Sequence, residues 1–226
     1  MADASAHEGT LTARGGRGGG TQPRAAAAGP GTPEAWLAAS APGFADLHAG
    51  DRQAISEFTR LWSLLEARLL DTHGSAHATA EAVRTMSPSE DDMADDRFTT
   101  ALAHFGARYF EDGRPTAAHA GLRLRASDGA HVLEAVLAHG SRDPVEVVAA
   151  LLLVCHRYRN NLLHGAKWAY GLRGQRDNFE RANSVLMATM DIQAARCELH
   201  GETPPDRFSP VPQRAVGVPR DTATVR

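Results

Sequence analysis

Apolar residues recur along most of this chain at the spacing of a helix rather than of a strand. From about Asp51 to Asp71, Ile55, Phe58, Leu61, Trp62, Leu65, Leu69 and Leu70 form a single stripe, which predicts an amphipathic helix stopped at Gly74. The aromatic pair Phe58 and Trp62 lies inside that stripe and reads as core. A weaker helical stretch follows at 76–86. Ser87-Pro88-Ser89-Glu90 then reads as a helix start, with Ser87 as N-cap, Pro88 at the first helical position and Glu90 returning to the cap. The acids between Glu90 and Asp96 suit that N-terminus, because the helix dipole favours negative charge there. Phe98, Leu102, Phe105 and Tyr109 carry the core face of the next helix, with Gly113 as its end.

Residues 113–128 read as loop, with Leu122 and Leu124 pinned in a short extended piece. Asp128 is the expected cap of a helix containing Val132, Leu133, Val136 and Leu137, closed by Gly140. Asp143-Pro144-Val145-Glu146 repeats the cap logic and opens VEVVAALLLVCHRY, whose apolar residues cover nearly every face over three turns. Such a helix belongs at the centre of a domain. A last helix, from about Asp177 to His200, presents Phe179, Ala182, Leu186 and Ile192 inward. The expected fold is all-α, a bundle of four long helices with one or two short ones.

Composition sharpens this picture at the ends. The chain has 226 residues and is 42% hydrophobic, with about forty alanines that favour helix and bury little area each. Nine of its glycines and four of its prolines fall in residues 1–43, and five prolines follow Thr203. We therefore expect a Gly/Ala/Pro-rich flexible segment over 1–43, a helical domain over 44–201 and a Pro-rich flexible segment over 202–226. Trp36 and Leu37 suggest a short docking segment within the first. Cys155 and Cys197 have no CxxC spacing, so a reducing compartment is the default. No run of about 18 apolar residues is present to span a membrane. The first twenty residues lack the apolar core of a secretory signal. The expected location is cytoplasmic.

Charge matters through its distribution. The 24 Lys and Arg against 27 Asp and Glu give a net charge of −3. Yet between Glu146 and Asp177 there is no acid at all, while Arg157, Arg159, Lys167, Arg173 and Arg176 fall there with His156 and His164. Tyr158, Trp168 and Tyr170 are interleaved. Basic groups beside aromatics suit phosphate contact with base stacking, although cations are also favoured at any helix C-terminus. Within this stretch the chain reads Arg157-Tyr158-Arg159-Asn160-Asn161-Leu162-Leu163-His164-Gly165-Ala166-Lys167. Asn160 and His164 are four apart and share a helix face, with Arg159 alongside. A cluster of Arg, Asn and His is costly to bury without partners, which points to a cleft or an interface. Gly165 ends the helix directly after His164, and an imidazole there can move protons.

The sequence RNNLLHG resembles the R-x4-H signature of the HEPN superfamily, in which a polar residue, often Asn, follows the Arg. The α-bundle, the motif late in a buried helix and the further long helix after it agree with that resemblance. It covers about Asp51 to His200 in architecture and Arg157 to Lys167 at the level of the motif. It implies a metal-independent endoribonuclease acting on RNA as a homodimer, with two motifs meeting in a composite site and no cofactor. Carried over residue by residue, Arg159 would hold the scissile phosphate, His164 would act as general acid/base, and Asn160 would orient the histidine or the phosphate. Arg157, Tyr158, Lys167 and Trp168 are then the expected substrate contacts. Arg157 also satisfies a looser R-x6-H spacing, but Asn160 directly follows Arg159, which favours the latter. The superfamily also includes non-catalytic modules that bind RNA or nucleotides or serve dimerisation. Its toxin-antitoxin and defence contexts imply an antitoxin or regulatory protein as a further partner.

Two other chemistries are weaker. His73 and His77 are four apart, but Gly74 interrupts the helix and no third metal ligand has suitable spacing. Cys155 lies in the apolar run, where an inert buried thiol is expected. RGGRGGG follows no strand, and no P-loop occurs, so a nucleoside-triphosphate or dinucleotide site is unsupported.

Overall fold

The computed structural model describes residues 31–165 and 172–201. Among them the chain forms eight α-helices and one short hairpin. The helices are α1 (Pro33–Ser40), α2 (Ala49–Leu69), α3 (Ala76–Met86), α4 (Asp96–Tyr109), α5 (Ala117–Ala120), α6 (Ala130–Leu137), α7 (Pro144–Leu163) and α8 (Arg176–Leu199). The hairpin pairs β1 (Phe110–Glu111) with β2 (Arg114–Pro115). This is an all-α bundle whose longest members are α2, α4, α7 and α8. None of the described helices is long and apolar enough to cross a membrane.

The apolar periodicity accounts for the packing. Helix α2 buries Ala54, Phe58, Trp62 and Leu65, while Ile55, Leu61 and Leu69 pack at the margins of that stripe. Helix α7 is buried on almost every side, from Val147 to Leu162. It lies against α3 and α6 and meets α8, which in turn packs on α2 and α4. Aromatic rings join these layers: Phe58 of α2 to Phe179 of α8 at 5.1 Å between centroids, Phe179 to Tyr158 of α7 at 5.7 Å, and Tyr158 to Phe105 of α4 at 6.0 Å. Each such pair is worth about 0.5–1.5 kcal/mol beyond the area it buries. The Tyr158 and Tyr109 hydroxyls hydrogen bond to each other inside this cluster.

Local signals place most of the helix ends. The Asp143 carboxylate accepts the Glu146 N–H at 2.9 Å and Pro144 occupies the first turn, so α7 begins where its cap predicts. It ends before Gly165, whose φ of 75° is left-handed. Three expectations need correction. Ser87 is not an N-cap: at φ 49° it closes α3, since Pro88 cannot continue that helix, and α4 starts only at Asp96 behind the cap Asp95. The cluster of acids between the two helices forms local and long-range pairs, Asp92 with Ser89 and Arg196, and Asp95 with Arg97. Asp128 does not cap α6, because Gly129 stands between them at φ 76° and the Asp128 side chain turns inward. Finally, α1 lies within the stretch expected to be a flexible segment. Thr32 caps it by accepting the Ala35 N–H at 3.2 Å, Pro33 starts it, and Glu34 pairs with Arg52 of α2 at 3.1 Å. Trp36 on this helix remains exposed.

Candidate functional site

The last two turns of α7 set His156, Asn160 and His164 four residues apart along one face. The face is wired in a single direction. Arg159 Nη1 donates to the Asn160 side-chain oxygen at 3.1 Å, and that fixes which end of the amide is the donor. Asn160 Nδ2 in turn donates to His156 Nε2 at 2.9 Å. His156 is therefore a neutral imidazole with its proton on Nδ1. Burial pushes its pKa down to about 4, and the adjacent Arg157 charge acts in the same sense.

Arg159 is held from the other side by Glu66 of α2, whose Oε1 lies 3.3 Å from Nη2. Glu66 reaches that position because residue 74 is glycine: a Cβ there would stand 1.9 Å from Glu66 Oε1. The break that ends the α2 turn thus also sets the geometry of Arg159. After Gly74 the chain enters α3, with Ser75 as N-cap accepting the Ala78 N–H at 3.0 Å.

Between these parts lies a cleft of about 330 Å³. One wall is Arg159, Asn160, His156 and His164; the second is Gly74 to His77 at the start of α3; the third is Arg125, Ser127 and Asp128. His164 and His77 are exposed, whereas Asn160 and His156 are buried at its floor. Two buried donors, His156 Nδ1 and Arg159 Nε, have no acceptor among the described residues. The arrangement can present N–H groups and cationic side chains to an anion, with two imidazoles in reach of solvent for proton transfer.

The structure thus brings together Arg159, Asn160 and His164. It separates them from Arg157 and Tyr158, although these neighbours in sequence were expected to contact substrate. Arg157 is 4% exposed; its Nε donates to the Leu122 carbonyl at 2.9 Å and its Nη1 faces Asp128 at 3.3 Å. Tyr158 is 1% exposed, with its ring against Phe105 and Phe179, so it offers no face to a base. Both side chains leave α7 toward the core. Lys167 and Trp168, the other two expected contacts, lie outside the described residues, as does Tyr170.

Sequence reasoning missed Gly74, Ser75, Arg125 and Glu66 as parts of the site. The i, i+4 pair His73 and His77, set aside above as a metal site, does not act as a pair. His73 Nδ1 meets its own turn at the Asp71 carbonyl, 2.7 Å away, and only His77 reaches the cleft. Among the described residues no three His, Cys, Asp or Glu side chains gather as a metal-ligand set. Cys155 is fully buried, and burial pushes its thiol well above the usual range, which makes it a poor nucleophile. Compared with known proteins, the chain matches no protein-family model, no curated protein and no solved structure.

Proposed function

We propose that the chain is a metal-independent endoribonuclease of the HEPN type, with Arg159, Asn160 and His164 as its reacting constellation. The observation that carries this reading is their convergence on one cleft at the end of α7, while the neighbouring Arg157 and Tyr158 turn into the core. In the reaction, the 2′-oxygen of a nucleotide attacks the adjacent phosphorus, and its proton passes to a general base. The bond from phosphorus to the 5′-oxygen breaks, and that oxygen receives a proton from a general acid, leaving a 2′,3′-cyclic phosphate and a free 5′-hydroxyl. His164, exposed at the mouth of the cleft, fits the proton-transfer role. Arg159 fits the stabilisation of charge on the phosphorane, once it exchanges Glu66 for the phosphate. In a homodimer a second His164 would supply the complementary acid or base.

The competing reading, a non-catalytic RNA- or nucleotide-binding or dimerisation module, is favoured by one feature, the engagement of Arg159 by Glu66 and Asn160. One experiment separates them. Purified wild type and His164→Ala are incubated with single-stranded and structured RNA, with and without EDTA, and the product ends are identified. The ribonuclease reading expects EDTA-resistant cleavage to cyclic phosphate ends, abolished in His164→Ala. Cleavage that needs a divalent ion, or that persists in the variant, overturns it. RNA binding without cleavage favours the module.

A further inference from the structure

The charged acceptors around the cleft are already engaged, and several of its donors are not. Asp128 takes the Arg125 N–H at 2.8 Å and faces Arg157, and the neighbouring Glu66 takes Arg159. At the start of α3 the Ala78 N–H goes to Ser75 Oγ and the Thr79 N–H to the Ser75 carbonyl, so the Ala76 and His77 amides precede every intrahelical bond. Both residues line the cleft. The 11-residue helix behind them adds a positive dipole end. Arg125 stands on the third wall with no ion pair among the described residues. The independent sign of a ligand is His156. It is only 5% exposed, it lines the cleft, and its Nδ1–H has no acceptor. Its other nitrogen is committed to Asn160, so the imidazole cannot turn to satisfy Nδ1 without losing that bond. A buried donor left without an acceptor is costly, and an anion oxygen in the cleft would supply the acceptor it lacks.

We infer that this wall of the cleft is a phosphate subsite, in which the Ala76 and His77 amides, the Arg125 guanidinium and the His156 Nδ1–H receive the oxygens of a phosphate group. None of these residues belongs to the Arg159, Asn160, His164 constellation, and Arg159 itself is turned toward Glu66. As the holder of an RNA phosphate, the subsite rests on the ribonuclease reading. As an anion site it stands on the geometry of the cleft.

The test uses the full chain and three probes: inorganic phosphate, a nucleoside 5′-monophosphate and a short RNA oligonucleotide, each titrated calorimetrically. Ala76→Pro removes one amide at the first helical position, where proline is tolerated, and Arg125→Ala removes the guanidinium. Each is expected to weaken phosphate binding roughly tenfold or more. Arg84→Ala, which removes an exposed charge paired with Glu81 on the same helix, is expected to leave it unchanged. Circular dichroism confirms that each variant is folded. Oligonucleotide binding much tighter than that of inorganic phosphate, and weakened by the same variants, assigns the site to a strand phosphate. Equal affinities for the three probes assign it to a free anion. Absence of phosphate binding, or equal binding by wild type and both cleft variants, overturns the subsite. Cleavage assayed on the same preparations keeps the two proposals apart: binding without cleavage overturns only the ribonuclease, and cleavage with unchanged binding in the variants overturns only the subsite.

Discussion

Helix α7 carries two i, i+4 polar pairs in its last turns, built from similar residues and put to opposite uses. Arg157 and Asn161 face the segment that follows α5. Arg157 donates to the Leu122 carbonyl and pairs with Asp128, and Asn161 donates to the carbonyls of Gly121 and Leu122 at 3.0 and 3.3 Å. These bonds fasten a stretch that has little regular structure of its own. His156 and Asn160 face the cleft, where their bonds run among themselves and end in an open N–H. A helix rotates by about 100° per residue, so within RYRNN Arg157 and Asn161 fall on a structural fastening, Tyr158 on the core, and Arg159 and Asn160 on a candidate site. The chemistry of a polar residue here depends on what the far segment brings to it.

The largest effect should come from cutting the fastening. Arg157→Ala leaves the Asp128 carboxylate, 6% exposed at its side chain, buried without its ion-pair partner and held, among the described residues, only by the Arg125 N–H. We expect a loss of about 3–5 kcal/mol of stability, measured by urea unfolding. Arg159→Ala, on the half-exposed side, should cost no more than about 1 kcal/mol while removing any RNA cleavage. A reversal, with Arg159 the costlier loss and Arg157→Ala stable, would show that the two faces have been assigned the wrong way round.

A second effect separates the faces by pH. His156 has its pKa lowered from 6.5 to about 4, chiefly by burial and then by Arg157, with Arg159 and Arg125 acting the same way and Asp128 opposing. Its native form therefore stays neutral when the unfolded chain takes up a proton. The stability this secures is fully present above about pH 6.5 and is lost as pH falls toward 4. Between pH 7 and pH 5 the loss should be about 2 kcal/mol. His156→Gln, which keeps an acceptor for Asn160 and does not titrate, should show a smaller loss by that amount in urea unfolding at the two pH values. Equal losses in both proteins would place the pH dependence elsewhere.

The sequence was legible where the information is local. Helical stripes, the Asp143-Pro144 cap and the Gly165 stop all act within a few residues, and α2, α3, α7 and α8 appear close to their expected bounds. The spacing of Asn160 and His164 with Arg159 beside them was likewise enough to put the three on one side of a helix. Two kinds of information were out of reach. Ser87 and Asp128 carry good cap residues, but a left-handed backbone at Ser87 and a partner 29 positions from Asp128, Arg157, decide their roles. The second and third walls of the cleft come from 74–77 and 125–128, and no periodicity relates these to α7. Charge patterning also grouped Arg157 and Tyr158 with the motif, because a run of basic and aromatic letters does not show which of them face the core.

The smallest effect concerns the hinge between the two uses of Arg159. In Gly74→Ala the new Cβ would lie 1.9 Å from Glu66 Oε1. The atom it meets is the end of a flexible side chain, so Glu66 can swing away and the helices need not move. What is lost is the Arg159–Glu66 pair, whose members are 28% and 17% exposed. A pair so placed is worth no more than about 1 kcal/mol, and thermal unfolding should fall by a few degrees at most. The functional change should run the other way: a guanidinium released from Glu66 is available to a phosphate, so RNA or phosphate affinity should rise by a few-fold. Glu66→Gln reaches the same end without steric change, by removing the charge that holds Arg159. Agreement between the two variants in binding titrations would mark Glu66 as the restraint on the site. Unchanged affinity in both would mean that Arg159 belongs with Arg157 to the fastening, and that the cleft works through the α3 wall alone.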